Sequence, residues 1–378
     1  MMKSLKQRML NDIEATRGMA TKMAKLAGYA TANKFTTMLK KEDGDIEKFG
    51  GFVRVVHEMY PEEKFTYMEE FAKTLNPNRI TARFMLEYLT LYRLENARDE
   101  LLLDMEKCNN EESKEWAFVY GMDIKLTRGD IRVSDVVSSL SQRSYGSVEM
   151  SIYSEIVKFY AYYDMRNIYM MNNTYDDLKE KIKNISNEYV RSNYYARVFL
   201  IEADITLHTN KIGQLREKLF VMENSLDPIK SLAYLQIGNS YMFSNYDKAR
   251  ECYLKGMDCA TEKSEVELKK SINFLAILWD KFEDCIEDND RANKLFYYAK
   301  KNKSMGINLS EKVNMEELND HQKGFHYYYL GLLLEDENMF YLSIESFNNV
   351  DECFYKQLPL NELKKVCNNP YLLKALGA

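Results

Sequence analysis

Apolar residues between Tyr234 and Gly256 recur at helical spacing. Tyr234, Ile237, Gly238 and Tyr241 stand at i, i+3, i+4 and i+7, one face of a helix, and Ala249, Tyr253 and Gly256 mark the facing side of a second. The layout returns near the C-terminus: Tyr327, Leu330, Gly331 and Leu334, then Ser343, Phe347 and Val350. Small residues at Gly238/Gly331 and Ala249/Ser343 predict that two antiparallel helices approach closely. The large Tyr253 and Phe347 are expected to fill the space between them. No long run alternates apolar and polar residues, so strands are not expected.

Two such hairpins match the tetratricopeptide pattern, a unit of about 34 residues whose stacked copies share one core. Dividing the body of the chain by that period predicts seven to nine helix pairs. The expected fold is all-α: an N-terminal helix-turn-helix followed by a right-handed, tetratricopeptide-like superhelical solenoid. The expected boundaries are 1–51 for the head and its charged, glycine-punctuated connector, 52–358 for the solenoid, and 359–378 for C-terminal helices that cap the last repeat or form a dimer. Stacked hairpins leave a concave face, the usual binding surface of such arrays. The residue after the small one in each first helix is expected to line it. This rule picks out Asn239 and, one period earlier, Asp204; one period later stands Asn273, the steps being 35 and 34 residues. Asn both donates to and accepts from a peptide backbone, so such a ladder would hold an extended peptide; without a ligand it is a solvated groove wall. Phe325, Tyr328 and Tyr329 are expected to offer apolar pockets, and Tyr327 to belong to the core.

Charge changes the picture at the N-terminus. The chain carries −6 in all, yet residues 1–41 hold nine basic side chains and two acids, a local +7 that leaves −13 elsewhere. A basic head on an acidic body fits phosphate binding, and it equally fits a solvated basic face. Within it, "MATKMAKLAGYATANKFTTMLKK" (19–41) reads as a short helix Ala20–Leu26 with Ala24 inward, a turn at Gly28, and a second helix Ala30–Leu39 with Phe35, Met38 and Leu39 inward. Lys22, Lys25, Thr31, Asn33, Lys34, Thr36, Thr37 and Lys40 are left facing outward. Asn can bond adenine bidentately, and Lys and Thr can meet bases or phosphates.

Little else carries chemistry. The sequence contains no phosphate-cradling glycine loop, no GxSxG, and no Cys–His pairing or carboxylate pair that stands out, so no enzyme and no cofactor are expected. Six scattered cysteines without a CxxC read as reduced thiols of a cytoplasmic protein. The four histidines, 57, 208, 321 and 326, form no metal-ligand spacing. No run of about 18 apolar residues suggests a membrane span.

Several segments together resemble the arbitrium receptors (AimR) of temperate Bacillus phages. The clearest are "LAYLQIGNSYMFSNYDKARECYLKG" (232–256) and "GFHYYYLGLLLEDENMFYLSIESFNNVDECFYKQLPL" (324–360). "MAKLAGY" (23–29), "ESKEWAFVY" (112–120) and the terminal "NPYLLKALGA" add to them. The resemblance implies a dimeric regulator that binds operator DNA through its head and drives a gene favouring lysis. An imported short signalling peptide would enter the groove, reduce DNA binding and tip the phage to lysogeny in the bacterial host cytoplasm. It maps peptide contacts onto Arg83, Asp204, His208, Asn239, Tyr298 and Asp351. The family arginine that meets the peptide carboxylate falls where this chain is shorter, and Lys230 is the nearest substitute. The C-terminal helices would close a homodimer. A peptide sensor of the Rap kind, acting on protein partners, is the alternative.

Overall fold

The computed structural model describes residues 4–41, 44–165, 168–213, 215–216, 226–287, 289–366 and 370–376. Among them every regular element is a helix. The chain forms two compact units, Met1–Val198 and Phe199–Ala378, so the expected head at 1–51 is a part of the first. Lys3, counted above with the basic head, and 367–369 and 377–378 of the expected C-terminal helices lie outside the described residues. None of the five described cysteines is bridged.

The first unit opens with α1 (Leu5–Ala15), α2 (Met19–Leu26) and α3 (Ala32–Lys40). Met9, Ile13, Met23, Ala24, Phe35 and Leu39 bury a common core. The α2–α3 turn follows from the sequence. Gly28 takes φ +76°, a conformation that costs only glycine nothing. The Gly28 and Tyr29 amides donate back to the Lys25 and Ala24 carbonyls, closing α2 as a Schellman motif. Thr31 then caps α3, accepting from the Lys34 amide at 3.3 Å. This is the expected helix-turn-helix, with α3 beginning two residues later than its pattern suggested and Met38 only half-buried.

Helix α4 (Phe49–Met59) locks that turn in place. Lys48 donates to the Gly28 carbonyl and Arg54 to the Leu26 carbonyl, two cations on the carbonyl end of α2. Gly51 lies so close that a Cβ there would stand 2.2 Å from the Ala27 carbonyl oxygen. Lys6 departs from the picture of an outward basic head. It is buried and donates to the Lys41 and Gly44 carbonyls at 3.0 and 3.1 Å, tying α1 to the connector.

The remainder of the unit is hairpins: α5 (Lys64–Ala72), α6 (Ile80–Leu91) with α7 (Glu95–Lys107), α8 (Glu111–Arg128) with α9 (Val133–Ser141), and α10 (Val148–Asp164) with α11 (Ile168–Ile182). Helix α12 (Glu188–His208) runs on into the second unit. The core of the first unit contains an ionic centre. Arg197 makes a bidentate contact with Glu87, at 3.2 and 2.9 Å, and the Tyr120 hydroxyl donates to the same carboxylate at 2.7 Å. Trp116, Tyr120, Tyr153 and Tyr194 stack beside it, and the Tyr153 hydroxyl is held by Asp123. Burial pushes the Glu87 carboxyl up, and Arg197 and Tyr120 pull it back.

In the second unit α13 (Asp227–Tyr241) pairs with α14 (Tyr246–Met257) as the spacing predicts. A Cβ at Gly238 would meet the Tyr253 ring at 2.3 Å. The second expected hairpin, α18 (Asp320–Leu334) with α19 (Glu337–Asn348), forms with a different phase. Its buried face carries Gly324, Tyr328, Tyr329 and Leu333, while Leu334 is exposed. Phe340 covers Gly331 and Phe347 covers Gly324, because antiparallel helices match residues equidistant from their turn. Tyr328 and Tyr329 are thus core residues, whereas the expectation gave that role to Tyr327, which is half-buried. Between the hairpins lie α15 (Glu262–Leu278), α16 (Arg291–Lys301) and α17 (Lys303–Ser310), with one short 3₁₀ turn between α15 and α16 and another after α17, which is where the repeat loses its regular period. Helices α20 (Gln357–Val366) and α21 (Pro370–Ala375) end the chain. No described helix is long and apolar enough to cross a membrane.

Candidate functional sites

The head presents α3 outward. Thr31, Asn33, Lys34, Thr37 and Lys40 are exposed, as are Lys22 and Lys25 on α2. Lys22 pairs with Glu58 at 2.7 Å and Lys40 with Glu14 at 3.9 Å, all four side chains largely in water. Such pairs hold weakly, so a phosphate can displace them. Lys25 and Lys34 make no ion pair with a described residue. Two of the expected contacts have internal work as well. Thr31 is the α3 cap, and the half-buried Thr36 hydroxyl folds back onto the Ala32 and Asn33 carbonyls of its own helix.

Of the residues mapped to a peptide, Arg83 stands in the first unit. It is buried, with Nη2 on Glu112 at 2.9 Å and Nη1 on Ser113 at 3.2 Å. The others lie in the second unit, and two of them, Asp204 and His208, meet there. His208, one turn beyond Asp204 on α12, has its Nε2 at 3.3 Å from an Asp204 oxygen that also accepts from Gln236 at 2.9 Å. Its Nδ1 contacts Glu352, the residue after Asp351. Asp351 is exposed and turns the chain with φ +54°. Burial alone would lower the His208 pKa, but the two carboxylates outweigh it and raise it to about 10. Burial acts to raise Glu352, and the hydrogen bonds from His208 and His321 overcome this and lower it to about 2. His321, on α18, joins the cluster with Nε2 at 3.3 Å from the same Glu352 oxygen.

The ladder is not uniform. Asn239 is buried, its Oδ1 accepting from the Tyr253 hydroxyl at 2.8 Å; its amide NH2 makes no hydrogen bond to a described residue and stays free to donate. Asn273 departs from the expectation. Its amide clamps the backbone of Ile286 from both sides, at 2.7 and 2.8 Å. A groove asparagine was expected to hold an extended peptide, and this one holds the chain's own loop after α15. Tyr298 and Lys230 are half-buried, and neither makes a hydrogen bond or ion pair with the histidine cluster. Beside that cluster a cavity of about 980 Å³ is lined by Lys270, Phe274, Arg291, His321, Phe325 and Tyr355, among others. Of the three aromatic pocket residues expected, Phe325 and Tyr329 line it.

Sequence reasoning missed Glu352 and His321, which stand 144 and 113 positions from His208. It also missed the ionic core, although a signal was present: Glu87, Tyr120 and Tyr153 recur at intervals of 33 residues, close to the repeat period.

A cationic helix-turn-helix on a stack of helical hairpins defines a class, the transcriptional regulators with tetratricopeptide-like sensor units. The family model described as AimR transcriptional regulator-like matches residues 64–365, and the chain belongs to that family. It is 28% identical over 381 residues to the AimR transcriptional regulator of Bacillus phage phi3T, covering 97% of this chain and 99% of that one. It is 29% identical to the AimR transcriptional regulator of Bacillus phage SPbeta, covering 97% and 98%. Among solved structures, that of SeMet-phAimR superposes with a TM-score of 0.82 at 26% identity, covering 99% of this chain and 100% of the other. The structure of phAimR with a ligand gives 0.77 at 25% identity, covering 86% and 99%.

Proposed function

We propose that this chain is a peptide-controlled, DNA-binding transcriptional regulator of a phage or related element. The carrying observation is the pair Lys25 and Lys34: exposed cations without a described acidic partner, on the two helices of a helix-turn-helix that α4 braces from behind. In this reading α3 enters the major groove with Asn33 and Thr37 toward base edges, while Lys22, Lys25, Lys34 and Lys40 meet phosphates. A short imported peptide binds the second unit near Asp204, His208, Asn239 and Asp351 and lowers DNA affinity, which sets the choice between lysis and lysogeny. The ligand-bound relative supports a small-molecule or peptide effector. Lys230 takes the peptide's C-terminal carboxylate as a point charge rather than a fork. A homodimer forms through α20 and α21, where Val366 is exposed and Tyr371 is 84% exposed.

Asn239→Ala tests the sensor. Removing the free amide donor is expected to weaken binding of the short peptide released from a precursor encoded beside the gene by about tenfold, roughly the 1.4 kcal/mol of one hydrogen bond. DNA binding should be unchanged. Calorimetry showing equal peptide affinity in the variant would remove Asn239 from the site.

Lys34→Ala tests the head, as a gel shift on promoter fragments of the element. It is expected to weaken binding by a similar factor across all sequences, as loss of a phosphate contact does, with peptide affinity intact.

A further inference from the structure

We propose that His208, His321 and Glu352 form a binding site for one divalent transition-metal ion of the zinc class. Their ligand atoms all lie within 4.8 Å of one another. Two imidazoles and one carboxylate are the donor set of open zinc sites, and nitrogen donors select against magnesium and calcium. Metal–ligand bonds of 2.0–2.2 Å in a tetrahedron set donor atoms roughly 3.3 Å apart. His321 Nε2 already stands 3.3 Å from the Glu352 oxygen. It is also a buried nitrogen whose partner among the described residues is that same carboxylate oxygen, its neighbour in the proposed coordination shell.

The surroundings are those of a metal site as well. A ligating histidine commonly gives its second nitrogen to a carboxylate, which fixes tautomer and ring orientation. Here His208 turns Nδ1 to the centre and Nε2 to Asp204, 3.3 Å away, and Gln236 in turn orients Asp204. Glu352 is oriented from the other side: its Oε1 accepts from the Phe354 and Tyr355 amides, each at 2.9 Å, which leaves Oε2 for the two rings. Asp204 and Glu352 together supply two negative charges against the two positive charges of the ion. His321 also lines the cavity, so the fourth coordination position is open to water or to a ligand carboxylate. The three donors come from three separate stretches of chain, α12, α18 and the turn after α19, so an ion at their centre ties these together.

The site stands on its own residues whether or not a peptide binds beside it, and its test uses neither peptide nor DNA. Full-length protein stripped with a chelator is titrated with Co²⁺, followed by its visible d–d bands, and then with Zn²⁺ to displace it. The expected result is one ion per chain with the intense bands of a four-coordinate centre, lost on His321→Gln. Asp204→Asn is expected to weaken zinc binding by about 10–100-fold, the usual effect of removing an outer-shell partner. The exposed Cys353 neighbours Glu352, so Cys353→Ser is the control and is expected to bind as the wild type does. Absence of four-coordinate bands at excess Co²⁺, binding that survives His321→Gln, or binding that disappears in Cys353→Ser would each overturn the assignment.

Discussion

Arg197→Leu is expected to destabilise the first unit by about 3–5 kcal/mol, the cost of stripping the partner from a buried charge. Glu87 has no exposed side-chain surface, so without the guanidinium its carboxylate has neither water nor a cation. Adding Glu87→Met in the same chain should restore most of the loss, because a well-packed apolar pair of similar volume is often neutral. Denaturant unfolding of the full chain, followed by a probe in the first unit, measures both. A double variant no more stable than the single one would show that the centre holds the unit by packing alone. The single variant carries a pH signature too. Burial raises Glu87, and losing Arg197 raises it further. A carboxyl with a raised folded-state pKa binds more protons folded than unfolded, so its penalty is absent at acidic pH. The penalty begins as pH climbs past the ordinary carboxyl range and grows until the folded group ionises. The gap between Arg197→Leu and wild type should therefore be narrower at pH 5 than at pH 8.

The second large effect is expected at Gly51. Its added Cβ would meet the Ala27 carbonyl oxygen at 2.2 Å, its carbon at 2.7 Å and the Ala27 Cα at 2.8 Å. All three are backbone atoms that no rotamer change can move. Gly51→Ala must push α4 off the α2–α3 turn, at an overpacking cost of about 1–3 kcal/mol, which outweighs the roughly 1 kcal/mol that alanine gains over glycine within a helix. Hydrogen exchange in α2 and α3 should accelerate, and DNA affinity should fall with it. Gly121→Ala supplies the contrast: nothing lies within 4 Å of its added Cβ, so the same substitution in α8 should stabilise. Equal effects at the two positions would refute the close approach at the turn.

What the sequence disclosed and what it hid divide along one physical line. Local chemistry was legible. Gly28 sits where a tight turn needs positive φ, Ala24, Phe35 and Leu39 fall on the buried faces of the head, and Gly238 with Tyr253 marks a close helix pair. These depend on neighbours a few residues away or on one hairpin. Partnerships across long stretches were not legible. Lys6 counts as a surface cation in any tally of charge, yet it is buried against the connector's carbonyls. Asn273 matches the groove register, yet an irregular loop returns to occupy its amide. Glu352 is one acid among 58 Asp and Glu residues until the turn after α19 sets it between two histidines. The phase of α18 failed for a milder reason: most of its residues are apolar or aromatic, so several faces fit the period equally well and only the partner helix selects one.

If the N-terminal head grips nucleic acid through its cations, its affinity must depend steeply on salt. A labelled 30-base-pair duplex is titrated with the full chain at a series of salt concentrations. The logarithm of the binding constant should fall linearly with the logarithm of salt, with a slope of about −0.9 per phosphate contacted. The variant carrying both Lys25→Ala and Lys34→Ala should lose about two units of that slope. Absence of binding at low salt, or a slope identical in the wild type and the double variant, would contradict it.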